Sequence, residues 1–571
     1  MSKDFDLVIR NGTLVDGTGG PLRDADIAVK DGRIAAIGSF AGSGIEEIDA
    51  TGRIVTPGFV DVHTHYDGQA IWSEEMAPSS SHGVTTAIMG NCGVGFAPCR
   101  QEDHDMLINV MEGVEDIPGV VMTEGLPWNW ETFPEYLDAV EAGKRDIDVA
   151  AYLPHSPLRV YAMGARGANR EPANDDDLAR MRALSKEAMD AGALGFATSR
   201  LSIHKTADGG SIPTFEADVR ELHEICGGMS DAGTGTLQIV LDAFVGWDKE
   251  YPIIDALMKS SGRPATFTLA SGNEGPPRWR AVLDMMEKSK ADGGQVTAQI
   301  MPRPIGLIGG LELSVHPFIL CPSYKKIADL PLAGKVAAMR DPDLRRALLT
   351  ETPEPGHPFN TLGRNWRWMY ALNDPPNYAP SPDESFEAIA AARGVTPEEV
   401  VYDRFLETEG KGLFLAALGN YENGRLDAAH DMLMHPDCVP ALGDGGAHYG
   451  AICDASYSTF LLTHWVRDAA ENKIDLAHAI HMLSAKAARA VGLNDRGELR
   501  VGAKADINVI DMDRLQLHLP YIAHDLPAGG RRLDQKATGY EATIVSGTII
   551  RRNDKSTGAR PGRLVRGAQA A

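Results

Sequence analysis

Two histidines stand one residue apart in GFVDVHTHYDGQ, His63 and His65, at the end of an apolar run. In an extended strand residues i and i+2 point to the same side, so both imidazoles project together and can hold one metal ion. The plainer reading of such a pair is a core histidine beside a turn histidine. Two further apolar runs end in groups of matching chemistry. HGVTTAIMGNCGVGF ends in Cys92, in a glycine-flanked turn where the backbone can approach an ion closely, and a thiolate favours zinc. ALGDGGAHYG ends in Asp444 at a glycine-rich bend, with His448 four residues further on. A carboxylate there can bind a metal and take a proton from water. Taken singly, the cysteine reads as a buried side chain and the Asp-Gly as a turn.

Other polar residues follow neighbouring runs. PHSPLRVYAMG places His155 and Arg159 beyond a third strand, and TSRLSIHKTADGGSIPT places Arg200 and His204 beyond a fourth. The planar guanidinium fork suits a carboxylate, although a salt bridge among loops uses it equally well. Arg159, Arg200, His204 and His448 are therefore the candidates for contact with substrate. The aromatic stretches WNW (128–130) and NWRWMY (365–370) suit either a hydrophobic ligand pocket or core packing. CDASYSTFLLTHWVRD (453–468) reads as a helix after a loop, with Asp454 near the site and Phe460 and Leu461 buried.

The elements that must position these groups follow an α/β pattern. Eight short apolar runs are predicted strands: 58–63, 83–91, 149–155, 193–199, 235–242, 265–271, 296–301 and 438–444. Helical stretches separate most of them. DDDLARMRALSKEAMDAG is the clearest, with acidic residues in its first turn and glycine at its end. This order predicts a (β/α)8 TIM-like barrel, whose active site lies at the C-terminal ends of the strands. Residues 1–56 and 497–571 show hairpin texture with Asn-Gly and Asp-Gly bends, and predict one small β-sandwich domain built from both termini. The barrel would then span 57–496. The stretch from about 305 to 437 carries ETPEPGHPFN and ALNDPPNYAPSPDE and fits no barrel unit. It is expected to be an insertion between strands seven and eight, lying over the barrel mouth.

TPGFVDVHTHYD and the tail GELRVGAKADINVID resemble the amidohydrolase superfamily of metal-dependent hydrolases. More narrowly, GVTTAIMGNCG, ALGFATSR and GDGGAHYG resemble the N-acyl-D-amino-acid deacylase group. The likeness covers nearly the whole chain. It implies that His63 and His65 are metal ligands, that Cys92 is the metal-binding cysteine, and that Asp444 is the catalytic aspartate and also faces the metal. It further implies attack by metal-bound water on the amide of a small N-acylated, N-acyl-D-amino-acid-like compound. The family also places a histidine on the fifth strand and another on the sixth. Here TLQIVLDAF offers Gln238 and Asp242, and ATFTLASGN offers Ser271 and Asn273. No strand presents a lysine for the carboxylated bridge of other members. The expectation is therefore one zinc ion per chain. Hydrolysis of a different amide, a cyclic imide or a lactam stays open, as does a non-catalytic member of the fold.

Composition narrows the partners. The chain has 571 residues, 55 basic against 79 acidic, with a formal charge of −24. Nucleic acid and anionic membrane both require clustered Lys and Arg, so a small-molecule substrate is expected instead. Six cysteines without a CxxC pair suit a reducing compartment. No apolar stretch approaches the roughly 18 residues of a spanning helix, and the first residues lack a signal-like core. The expected location is the cytoplasm. The resemblance leaves a homo-oligomer open.

Overall fold

The computed structural model of the protein describes residues 4–355 and 362–569. Residues 356–361, within the expected insertion and its ETPEPGHPFN stretch, lie outside the described residues, as do 1–3 and 570–571 of the expected terminal domain.

Both ends of the chain meet in one sheet. From the N-terminal side come β1 (Phe5–Leu14), β2 (Arg23–Lys30), β3 (Arg33–Gly38), β4 (Gly44–Asp49) and β5 (Ile54–Pro57). The barrel strands follow: β6 (Phe59–Asp61), β7 (Val84–Met89), β8 (Asp148–Pro154), β9 (Gly195–Ser199), β10 (Thr236–Val240), β11 (Ala265–Thr268) and β12 (Val296–Ile300). Three strands come next, β13 (Ile305–Gly309), β14 (Met369–Leu372) and β15 (Leu413–Gly419), before the last barrel strand, β16 (Cys438–Pro440). The chain then forms β17 (Ile507–Ile510), β18 (Gln516–Leu517), β19 (Tyr521–Ala523), β20 (Arg532–Asp534) and β21 (Ala537–Thr538). It finishes with β22 (Tyr540–Val545), β23 (Thr548–Arg552) and β24 (Lys555–Ser556). The sheet of the separate terminal domain runs β24-β23-β22-β17-β5-β1-β2-β3, with β4 alongside β1. Its own apolar core includes Leu7, Ile27, Val55, Ile507 and Ile544.

The barrel sheet runs β16-β12-β11-β10-β9-β8-β7-β6, and every pair in it is parallel. Parallel strands covered on both faces read as continuous apolar runs, as the fully buried VTTAIM of β7 does. The two end strands are tied just past their C-terminal ends. Asp444 N–H donates to the His63 carbonyl at 3.1 Å, and His65 N–H donates to the Gly445 carbonyl at 2.8 Å. The bonds joining the first strand to the last thus set the paired histidines beside the carboxylate.

Local signals hold where the chain chemistry is strong. The helix Asp175–Ala191 begins with a reciprocal cap: Asn174 and Asp177 each accept from the other's backbone N–H at 2.9 Å. It ends at Gly192, whose φ of 107° suits glycine. His155, expected to finish a strand, instead opens the helix His155–Met163. Pro154 has no N–H to continue the ladder, so the strand stops there.

Between β12 and β16, β13, β15 and β14 form a separate antiparallel sheet. Helices pack on it around a core that includes Phe318, Tyr324, Tyr402, Phe405 and Phe414. This segment bonds to the C-terminal side of the barrel. Asn420 Oδ1 accepts from Ser271 N–H at 2.8 Å, and its Nδ2 donates to the Met301 carbonyl at 2.9 Å. Ser314 N–H donates to the Gly450 carbonyl at 2.9 Å, in the loop after β16. Among the described residues no helix is long and apolar enough to cross a membrane.

Candidate metal centre

His63 and His65 leave β6 on one side and are almost fully buried, at 2% and 1% exposure. Cys92 sits in the turn after β7 with a φ of 58°. Gly90 precedes it at φ 81°, and a Cβ there would lie 2.5 Å from the Tyr152 carbonyl oxygen, so only glycine lets this turn press against β8. Asp444 follows β16 at φ 46°. Nearby Gly446 would set a Cβ 2.6 Å from the His65 carbonyl oxygen, which explains the glycines of GDGGAH.

These side chains converge. The metal-binding atoms of His63, His65 and Cys92 all lie within 4.8 Å of one another. Cys92 Sγ is 3.4 Å from His63 Nε2 and 3.9 Å from His65 Nε2. Asp444 Oδ1 is 3.6 Å and 3.7 Å from the same two nitrogens, and is buried with no hydrogen-bond partner. Donors about 2.0–2.3 Å from one tetrahedral ion lie roughly 3.3–3.6 Å apart. The two imidazoles and the thiol therefore fit a single cation, with Asp444 Oδ1 close to both imidazoles, and their N and S chemistry suits zinc.

The imidazoles are oriented from behind. His63 Nδ1 donates to Gln299 Oε1 at 2.6 Å, and Gln299 Nε2 donates to Thr266 Oγ1 at 3.1 Å. That arrangement leaves the lone pair of His63 on Nε2, facing Cys92 and Asp444. His65 Nδ1 faces Glu115 Oε1 at 3.4 Å, and Glu115 Oε2 faces His448 Nε2 at 3.3 Å. Burial pulls His63 down to about 4, against the acceptor bond to Gln299, and pulls His65 well below the ordinary histidine value. Both rings are thus neutral, the form a metal requires. Burial pushes Asp444 up to about 7. Burial, together with the Glu115, Asp444 and Asp67 carboxylates, pushes the Cys92 thiol well above its usual range.

The remaining expected residues divide. Gln238 reaches the site, where its Oε1 accepts from Cys92 N–H at 3.1 Å. Asn273 is turned to the insertion, bonding the Ala417 carbonyl and Tyr421 N–H. His204 is held by Ser199, Nδ1 to Oγ at 2.9 Å, and burial with nearby His448 and His63 pulls it down to about 3. His448 is likewise pulled to about 4 by burial and by His63. Arg159 engages groups of its own chain. It is 2% exposed, paired with Glu221, and bonded to the Glu171 carbonyl. Arg200 pairs with Glu250, Nε to Oε2 at 2.5 Å. Asp454 pairs with Arg303 at 2.7 Å. Trp130 and Trp368 are buried in the main core instead of lining an open pocket.

Two site residues escape sequence reasoning. Gln299 lies 236 positions from His63, and a single glutamine in an apolar strand carries no local signal. Glu115 ends the helix His104–Glu115 and looks like one more surface acid in an acidic chain.

The cluster of two imidazoles, a thiol and a carboxylate at the barrel mouth, taken with the family match and relatives below, makes the protein a metal-dependent hydrolase of carbon–nitrogen bonds other than peptide bonds. The profile described as "Amidohydrolase family" matches residues 46–551, and the chain belongs to that family. It is 26% identical over 580 residues to a D-aminoacylase of Alcaligenes xylosoxydans xylosoxydans, covering 99% of this chain and 98% of that protein. An N-acyl-D-glutamate deacylase of the same organism is also 26% identical over 580 residues, with 99% and 97% covered. Among solved structures, the zinc and phosphonate complex of an N-acyl-D-glutamate deacylase from Bordetella bronchiseptica superposes with a TM-score of 0.65. Identity there is 23%, over 99% of this chain and 100% of that one, and the likeness shows the shared fold.

Proposed function

We propose that the protein is a one-zinc amidohydrolase that removes the acyl group from a small N-acylated amino acid of the D series. One observation carries this reading: Asp444 Oδ1, buried and without a partner, stands 3.6–3.7 Å from the Nε2 atoms of both first-strand histidines, beside Cys92. The D-amino-acid part rests on the two full-length deacylase relatives. His63, His65 and Cys92 would hold the ion, with Asp444 facing it. A divalent cation in that position would supply Lewis acidity and lower the pKa of water toward about 7.

The protein's own groups supply the rest. Gln299 keeps Nδ1 of His63 protonated and so commits Nε2 to the site. Asp444 Oδ1 is the proton acceptor, and by returning that proton to the departing nitrogen it makes the amine a leaving group. Burial sets its carboxyl near neutrality, so both protonation states are within reach. His204, held by Ser199, presents a neutral ring to the same mouth as the candidate contact for substrate. Gln238 stands where the family's fifth-strand histidine would be, and no histidine follows β11, which supports one ion and not two. Six free cysteines support a reducing, cytoplasmic setting.

The test is elemental analysis of protein purified without added metal, followed by chelation and assay on N-acyl-D- and N-acyl-L-amino acids. The expected result is about one zinc per chain, with turnover lost on chelation and restored by zinc. No bound metal, or turnover that survives complete chelation, refutes the reading.

A further inference from the structure

Glu115 is 1% exposed at the C-terminal end of the helix His104–Glu115. Its two oxygens face two different imidazoles at ion-pair distance, His65 Nδ1 at 3.4 Å and His448 Nε2 at 3.3 Å, and both oxygens and His65 Nδ1 are buried without a hydrogen bond to any described residue. Its carbonyl also accepts from His448 N–H. One residue therefore stands behind the His65 ring and is tied through its backbone to the loop that carries Asp444. The adjoining Asp116 binds the same loop differently, accepting from Gly450 N–H at 3.1 Å and from Ser314 Oγ of the insertion at 3.2 Å.

We propose that Glu115 is a positioning residue, shared between His65 and His448, that holds the His65 proton on Nδ1 and aims Nε2 at the cation. The inference rests on the reading that His63, His65 and Cys92 hold an ion. A buried carboxyl group with no cationic partner is costly, and the two imidazoles that its oxygens face are the polar groups available to offset that cost. His63 obtains the same service from neutral Gln299. The two ligands of the HxH pair are therefore backed by unlike groups, one amide and one acid. The acid, being shared, couples the first strand to the loop after the last.

The experiment is zinc affinity by competition with a chromophoric chelator, which needs no substrate. Glu115→Met removes both acceptors at similar length, and affinity should fall roughly 10- to 100-fold. Glu115→Gln keeps one acceptor and should recover most of that loss. Asp116→Asn loosens the loop without touching His65 and should stay near the wild-type value. Near-ultraviolet dichroism of the chelated proteins reports folding. If Glu115→Met does not fold, Glu115→Asp serves instead, since its shorter arm withdraws the acceptor and keeps the charge; it should lose about tenfold or more. Affinity within twofold of wild type in the folded variant overturns the proposal. So does an equal loss in Asp116→Asn, which would make the effect one of loop anchoring. Wild-type protein that binds no zinc overturns the underlying ligand reading, and is told apart from the other results by that control.

Discussion

Replacing Asp444 by Asn should separate activity from stability in opposite directions. The two side chains have the same shape, and Asn tolerates the left-handed backbone that Asp444 adopts at φ 46°. The backbone bond from residue 444 to the His63 carbonyl is unaffected. Proton transfer by a placed side chain contributes about 10²- to 10⁴-fold, equivalent to roughly 2.7–5.5 kcal/mol of barrier, and the variant should lose that amount in kcat. In the chelated protein the sign reverses. Burial raises this carboxyl from 3.8 to about 7, so the folded state is penalised as pH rises from 3.8 toward 7, because only the unfolded chain ionises freely there. Three pH units correspond to an upper bound of about 4 kcal/mol, at roughly 1.36 kcal/mol each. Asparagine has no such penalty, so chelated Asp444→Asn should unfold at higher urea than chelated wild type at pH 7, with little difference near pH 4. Steady-state kinetics on an N-acyl-D-amino acid and urea titrations at both pH values measure the two effects. A kcat within tenfold of wild type refutes the proton-transfer role. A chelated variant less stable than wild type at pH 7 refutes the claim that Asp444 is held against its own ionisation.

Two further outcomes follow from buried groups away from the centre. His82 donates from Nε2 to the Gln535 carbonyl at 3.0 Å and accepts at Nδ1 from Thr459, and burial holds both it and His316 near 3. Above pH 6.5 the two are neutral whether folded or not, and below it only the unfolded chain gains protons, so their contribution is lost as pH falls. From pH 6.5 to 5 a His82→Gln, His316→Gln variant should lose about 3 kcal/mol less than wild type in urea titrations; equal losses would show that these rings protonate within the fold. Arg159→Leu leaves Glu221 with His155 alone in a buried site, and should cost about 3–5 kcal/mol of stability by urea titration. The KM of the folded variant should change little; a large rise in KM with stability intact would return Arg159 to a substrate-binding role.

Much of this molecule was legible without coordinates because its signals are local. The two-residue period sets His63 and His65 on one side, and the caps of the helix Asp175–Ala191 follow from residues three positions apart. Glycine marks turns such as the one at Cys92, where a side chain would strike β8. Each of the eight predicted strand runs overlaps an observed barrel strand, because an apolar run covered on both faces needs no distant partner to be recognised. What sits behind the ligands was not legible. Gln299 and Glu115 reach the histidines only because parallel strands close and a helix end folds over their mouth, and neither residue type is distinctive where it stands. Arg159 shows the converse. Its type and place announced a carboxylate, and which carboxylate it found, Glu221 of its own chain, was decided by packing. Residue spacing determines which side chains a strand can point the same way; whether a buried charge meets a ligand or a neighbour depends on long-range closure, where the cost of an unpaired charge selects the partner.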